Sequence, residues 1–220
     1  SSCGGEGAPG LLGHGEGVTR LNTPARLPST LGGERAVSVS AGDAHSLALA
    51  ADGAVWSWGG AGDGKLGHGD NQRQLLPKKI EAFAGQRVVA VSAGGGHSLA
   101  LTADGAVWSW GWGSAGQLGH GDDQSQLLPK KIEAFTGQRV LAMSAGAYHS
   151  LALTADSSVW SWGSVSFGQL GHSDRQNQLL PKKVEALAGQ HVVAVSAGED
   201  RSIALTADGS VWSWGLGGQG

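Results

Sequence analysis

Three histidines spaced 52 residues apart, His45, His97 and His149, are the first candidates for chemistry in this 220-residue chain. Imidazole serves as metal ligand, general base and proton carrier near neutral pH. A symmetric ring of such groups would suit a metal ion, but the fourth place in the series holds Arg201, which has no lone pair to give a metal. The three histidines follow Ser-Ala-Gly at the start of a strand-like segment, and they are expected to be hydrogen-bonded structural groups. A second set, His68, His120 and His172, follows Leu-Gly, with Asp70, Asp122 and Asp174 two residues on. His-x-Asp looks like a metal pair, but zinc needs three or four converging ligands, so a repeat-capping loop is expected. No serine, histidine and acid stand apart as a triad, and no glycine loop lies between a strand and a helix to hold phosphate. The expectation is a protein that is not an enzyme and has no cofactor and no metal.

These residues recur because the chain itself recurs. Val-Trp-Ser-Trp-Gly ends at Gly59, Gly111, Gly163 and Gly215, again 52 residues apart. Full repeats run 36–87, 88–139 and 140–191. Residues 192–220 carry the front half of another, and 1–35 a degenerate back half with Leu12-Gly13-His14 in the Leu-Gly-His slot. The spacing from that slot to the next Ser-Ala-Gly is two residues longer than elsewhere. A period of this size means stacked units that cannot bury their apolar faces alone, so 1–220 reads as a single repeat domain.

Composition fits that reading. Glycine is abundant, at 39 residues, but periodic and interleaved with apolar residues, unlike a disordered tract. The net charge of −3 supplies no global pull toward nucleic acid or a membrane. Cys3 is the one cysteine, which excludes an intrachain disulfide or a cysteine zinc cluster. No run of 18 apolar residues and no signal peptide stands in the sequence. An intracellular protein, cytoplasmic or nuclear, is expected.

Within a repeat the periodicity is that of strands. Val88-Val89-Ala90-Val91-Ser92 is β-branched, and Ser98-Leu99-Ala100-Leu101-Thr102 alternates large and small residues. Asp104-Gly105 predicts a tight hairpin. Trp108 and Trp110 then share one face of the next strand, because side chains alternate. Lys130-Lys131-Ile132-Glu133-Ala134-Phe135 is the candidate fourth strand or a short extended edge. Four antiparallel strands with a period near 50 predict an all-β fold, a β-propeller of about four four-stranded blades. The paired tryptophans are expected at the contacts between blades.

The repeat resembles the regulator-of-chromosome-condensation family. The carrying motifs are Leu118-Gly119-His120-Gly121, Pro129, Val140 to Gly146, His149-Ser150-Leu151-Ala152-Leu153 and Trp160-Ser161-Trp162-Gly163. The resemblance implies a propeller. Its functions include nuclear exchange factors for a small GTPase, a plant UV-B photoreceptor and interaction modules of large ubiquitin ligases, and a fold does not choose among them. In the photoreceptor, the resemblance implies Gly-Trp-Arg-His-Thr motifs. The matching slots here, 42–46, 94–98, 146–150 and 198–202, have no tryptophan after the glycine and no arginine before the histidine position, which makes this reading the weakest. An exchange factor is the alternative; it would stabilise a nucleotide-free GTPase. The family's exchange factors carry a protruding hairpin in one blade, and the three equal repeats have no room for it. The main expectation is a protein–protein interaction scaffold within a larger regulatory protein. Its partner would be a protein, with a small GTPase or a chromatin protein as candidates, and no sequence-specific nucleic-acid contact or membrane is expected.

Family members usually close seven blades, each turning the array by roughly 51°, so four cover only about 205°. An incomplete array is expected, with self-association through open blade edges. Pairing of 6–35 with 192–220 into a tight four-bladed ring is the competing arrangement. In an up-and-down blade, the loops after strands one and three emerge at one end. Asp43, Tyr148, Glu199 and Asp200 lie in the first loop, and Lys65, Trp112 and Phe167 in the second. They differ between otherwise constant copies and mark the expected interaction face. On the outer strand, Lys78, Lys79, Lys130, Lys131, Lys182 and Lys183 form a rim. It discourages edge pairing and would suit an acidic partner, though Glu81, Glu133 and Glu185 interrupt it.

Overall fold

The computed structural model describes residues 10–27 and 31–217, so Cys3 and the start of the degenerate half-repeat lie outside the described residues. It contains four antiparallel sheets, ordered inside to outside as the chain runs. The first is β1 (Ala36–Ala41), β2 (His45–Ala50), β3 (Val55–Gly59) and β4 (Gln74–Lys79). The second is β5 (Val88–Ala93), β6 (His97–Thr102), β7 (Val107–Gly111) and β8 (Gln126–Lys131). The third is β9 (Val140–Ala145), β10 (His149–Thr154), β11 (Val159–Gly163) and β12 (Gln178–Lys183). The last has three strands, β13 (Val192–Ala197), β14 (Arg201–Thr206) and β15 (Val211–Gly215). This is the expected propeller. The inner strands β1, β5, β9 and β13 neighbour one another in order.

The alternation of leucine and alanine in the second strands explains how blades stack. Leu47, Leu49 and Val55 of the first sheet pack with Ile80 and Phe83 against Val88, Ala100 and Trp110 of the second. The large residues face the following blade, and the alanines make room on the other side for the preceding one. The next interface repeats this pattern with Leu99, Leu101, Val107, Ile132 and Phe135 against Ala152 and Trp162. Both tryptophans of a pair do share a face. The Phe83 ring meets Trp108 at 5.8 Å and Trp110 at 5.6 Å, edge to face.

The fourth strand corrects the sequence reading. It begins at Gln126, with Pro129 inside it, and Glu133–Phe135 is a 3-10 turn instead of a strand. Proline is tolerated because β8 is outermost and the missing N–H costs no ladder bond. The turn exists to deliver a side chain: Phe135 dives between blades against Trp160 and Trp162.

Hairpins between second and third strands form where Asp-Gly predicts them. Asp104 accepts from the Thr102 hydroxyl at 2.6 Å, and Gly105 has φ 85°. In the third copy Ser157 occupies that glycine position at φ 64°, the left-handed region that disfavours side chains.

Among the described residues the array does not close. The half-repeat reaches the first sheet, not the last: Gly15 N–H donates to Leu75 O at 3.1 Å, and Trp58 Nε1 to Leu11 O at 3.1 Å. Over the described residues this overturns the four-bladed ring, because the segment that would complete the last sheet covers the first. No helix among the described residues is long and apolar enough to cross a membrane.

Candidate functional site

Each blade is tied to the next by one polar node built from four recurring groups. The Lys65 carbonyl, in the loop after β3, accepts from Ser98 Oγ at 2.8 Å and from Trp110 Nε1 at 2.9 Å, both on the second sheet. His45 reaches the same serine, with its Nε2 2.8 Å from Ser98 Oγ. Gln117 and Gln169 supply the equivalent carbonyls for Ser150 with Trp162 and for Ser202 with Trp214. Since each serine proton goes to a carbonyl, the histidine must be the donor. That leaves Nδ1 of His45, His97 and His149 unprotonated, buried and without a partner.

The histidines are structural, as expected, but they tie neighbouring blades and not a loop of their own. Burial holds His45 and His97 neutral, with pKa lowered to about 3, and His149 to about 4. The node carbonyls were not legible as a site. A slot holding Lys, Gln and Gln amid constant neighbours was the available signal that the backbone there does the work.

The Leu-Gly-His loops cap their own blades. His68 Nε2 donates to Ser57 Oγ at 2.9 Å, and that hydroxyl donates to Leu66 O at 2.7 Å. His120 with Ser109 and His172 with Ser161 repeat it. Asp70, Asp122 and Asp174 turn back to accept from the N–H groups of Gln72, Gln124 and Gln176. Among the described residues no group of three or more candidate ligands converges on a metal position.

The structure brings the predicted face residues to one end and pairs two of them. Trp112, half-buried over Gly96, meets the exposed Tyr148 of the next blade edge to face at 5.5 Å. Phe167 is 47% exposed and stands apart from that pair. Lys65 is half-buried and contributes its carbonyl to the node. Asp43 and Glu199 are exposed at the mouth of the central shaft, a concavity of about 360 Å³ whose floor includes Gly94, Gly95, Gly146 and Ala147. Asp200 lies beside it, with a buried Oδ1 that has no partner. Desolvation, and then the neighbouring Glu199, push its carboxyl above the usual range. The rim lysines sit on the outer strands β4, β8 and β12, and Lys182 pairs with Asp174.

The RCC1-like domain model matches residues 1–220. The chain belongs to the RCC1-like domain family. Human E3 ubiquitin-protein ligase HERC2 is 44% identical over 216 residues, which cover 97% of this chain and 4% of the ligase. The Arabidopsis thaliana ultraviolet-B receptor UVR8 is 38% identical over 206 residues, 94% of this chain and 46% of the receptor. The structure of yeast RCC1 (Prp20) bound to Kap60 superposes with a TM-score of 0.79 at 30% identity, covering 94% of this chain and 49% of that one. The RCC1-like chain therefore spans less than half the length of each of these relatives.

Proposed function

We propose that this RCC1-like array is a protein-interaction scaffold, and that its binding face is the end carrying Trp112, Tyr148 and Phe167. The observation that carries the reading is the Trp112–Tyr148 pair, which bridges two blades at 5.5 Å with Tyr148 43% exposed. Aromatic groups on a rigid support are the usual anchors of protein partners. The scaffold beneath them is constant, whereas equivalent positions in the other copies hold Gly60, Ser164 and Asp63. Binding of this kind needs shape and no catalytic group, and we read the domain as non-catalytic within an intracellular regulatory protein. The outer lysines, Lys78 and Lys130 among them, give an acidic segment of the same partner a second contact.

Work on yeast Prp20p describes binding to Gsp1p and to histones. A small GTPase and a chromatin protein are accordingly the partner classes to test first. Immobilised protein and its Trp112→Ala/Tyr148→Ala/Phe167→Ala variant are compared for retention of proteins from a cell extract, with melting recorded for both. The variant should lose retained proteins at an unchanged melting temperature; equal retention overturns the face. Preference for a GTPase stripped of nucleotide by chelator would favour exchange activity over scaffolding.

A further inference from the structure

We propose that the mouth of the shaft at this face receives one basic side chain, arginine or lysine, from a protein partner; this rests on the reading of that end as the binding face. The same slot of successive repeats holds Asp43, Gly95, Ala147 and Glu199. Two carboxylates thus stand on either side of a cradle of small residues. Asp43 Oδ2 lies 3.1 Å from where a Cβ on Gly95 would sit. The cradle must stay small because the loops overlap: a Cβ on Gly42 would collide with Gly94 O, and one on Gly94 with Gly146 O.

The charged side chains that line the concavity are both carboxylates. Asp43 and Glu199 are exposed and enter no ion pair; the Lys182–Asp174 pair is the one formed among the described residues, and it lies on the rim. Asp200 does not line this concavity; it lies with Arg201 in the neighbouring one. Behind the cradle, the fully buried His97 turns its unpartnered Nδ1 to Gly94, 2.9 Å from that residue's would-be Cβ, and His45 does likewise at Gly42, at 3.1 Å. The serine relay fixes these nitrogens as lone pairs. The imidazole nitrogens are sealed behind the glycine backbone, and the side chains that face a guest are the two unpaired carboxylates over a cradle of glycine and alanine, which select a cation and reject an anion. The nearby cations, Lys65 behind His45 and Arg201 on the last sheet, belong to the loops and the strand outside the cradle. The concavity, about 360 Å³ and open on one side, is lined by glycine and alanine at the inner ends of the strands, which leaves room for the end of a side chain between the two carboxylates.

The test titrates the 220-residue protein with fluorescent hexa-arginine and hexa-glutamate peptides at low salt. Asp43→Asn/Glu199→Gln is compared with Glu81→Gln/Asp123→Asn, which removes the same charge away from the mouth. Hexa-arginine should bind, and the mouth variant should weaken it about five- to tenfold, the effect of two partly exposed ion pairs. The control variant should change it less than about twofold, since its charges are screened at that distance. Amide-shift mapping on the unaltered protein should place the peptide at Gly94, Gly95 and Ala147. Equal loss in both variants, equal binding of hexa-glutamate, or shifts confined to the rim would overturn the proposal. Loss of extract partners on removing the three aromatics, with no effect of Asp43→Asn/Glu199→Gln on them or on hexa-arginine, would leave the face standing and remove the cation mouth.

Discussion

His97 on the second sheet donates its Nε2 proton to the hydroxyl of Ser150 on the third, across 2.9 Å of the blade interface. The serine passes its own proton to Gln117 O at 2.9 Å. Burial keeps the imidazole neutral, and it faces His45 and His149, whose charges would oppose its own. Protonating it would put a cation into a fully buried site with no acid beside it.

That arrangement predicts acid sensitivity. In the folded protein the pKa of His45 and His97 is lowered to about 3 and that of His149 to about 4, against 6.5 unfolded. The unfolded chain binds more protons between those values. Stability is thus fully present above pH 6.5 and is lost as pH falls through 6.5 toward the folded values, by on the order of 1 kcal/mol per pH unit for each histidine. Urea midpoints at pH 7, 6, 5 and 4 check this. His97→Gln, which keeps a donor and cannot titrate, should flatten the slope; an unchanged slope would show that other groups govern it, the loop histidines His68 and His120 among them, whose pKa is also lowered to about 4 by burial.

Trp110 is fully buried, and its Nε1 shares the Lys65 carbonyl with Ser98. Trp110→Ala should cost about 3–5 kcal/mol, because it opens a cavity beside Phe83 and removes one of the donors to that carbonyl. Arrays couple to nearest neighbours, so amide exchange should accelerate first at the interface of the first two sheets. A melting midpoint equal to that of the unaltered protein would remove Trp110 from the core.

The blades were legible because each strand announces itself locally: β-branched runs and leucine–alanine alternation persist through the three full copies, and the turn aspartate does too, with Ser157 replacing its glycine in the third. The fourth strand was misplaced because Pro129 argues against a strand until one knows that β8 is outermost. Its neighbour Phe135 looked like a strand residue because its role, packing under Trp160 and Trp162, belongs to the next repeat. The same limit hid the node. Period identifies His45 and Ser98 as special, but only the packing of two blades shows that they meet, and that Lys65 matters through its carbonyl. On the face, sequence variation pointed to Trp112 and Tyr148, while their contact became visible in three dimensions.

Ser157 is a local test of copy-to-copy drift. It holds the turn position at φ 64°, where the second copy has Gly105 at φ 85°. Its N–H still donates to Thr154 O at 2.9 Å, as Gly105 does to Thr102 O. Ser157→Gly should relieve about 1–2 kcal/mol of left-handed strain, offset in part by roughly 0.4–1 kcal/mol of added freedom in the unfolded chain. A rise of a few degrees in melting temperature is expected, and Ser157→Val should lower it. If Ser157→Gly lowers it instead, the hydroxyl is holding the turn through contacts that outweigh the strain.

The last sheet shows what an uncovered blade face presents. Ile203, Leu205 and Val211 are 40%, 39% and 69% exposed, whereas Leu151, Leu153 and Val159 in the same slots of the third sheet are 0%, 3% and 1%. The difference is the absence of a following blade among the described residues. Trp212 adds to the same exposed surface. An apolar face built for close packing favours association when left in water. A protein of these 220 residues alone should therefore sediment as a dimer or larger species at tens of micromolar, an order-of-magnitude range for a weak apolar contact. Ile203→Lys with Val211→Lys should restore the monomer without lowering the melting temperature, since neither side chain is buried within its own chain. Sedimentation velocity at several concentrations decides it. A single monomeric boundary throughout would mean that this face is covered within one chain, and that the array is less open than its four sheets indicate.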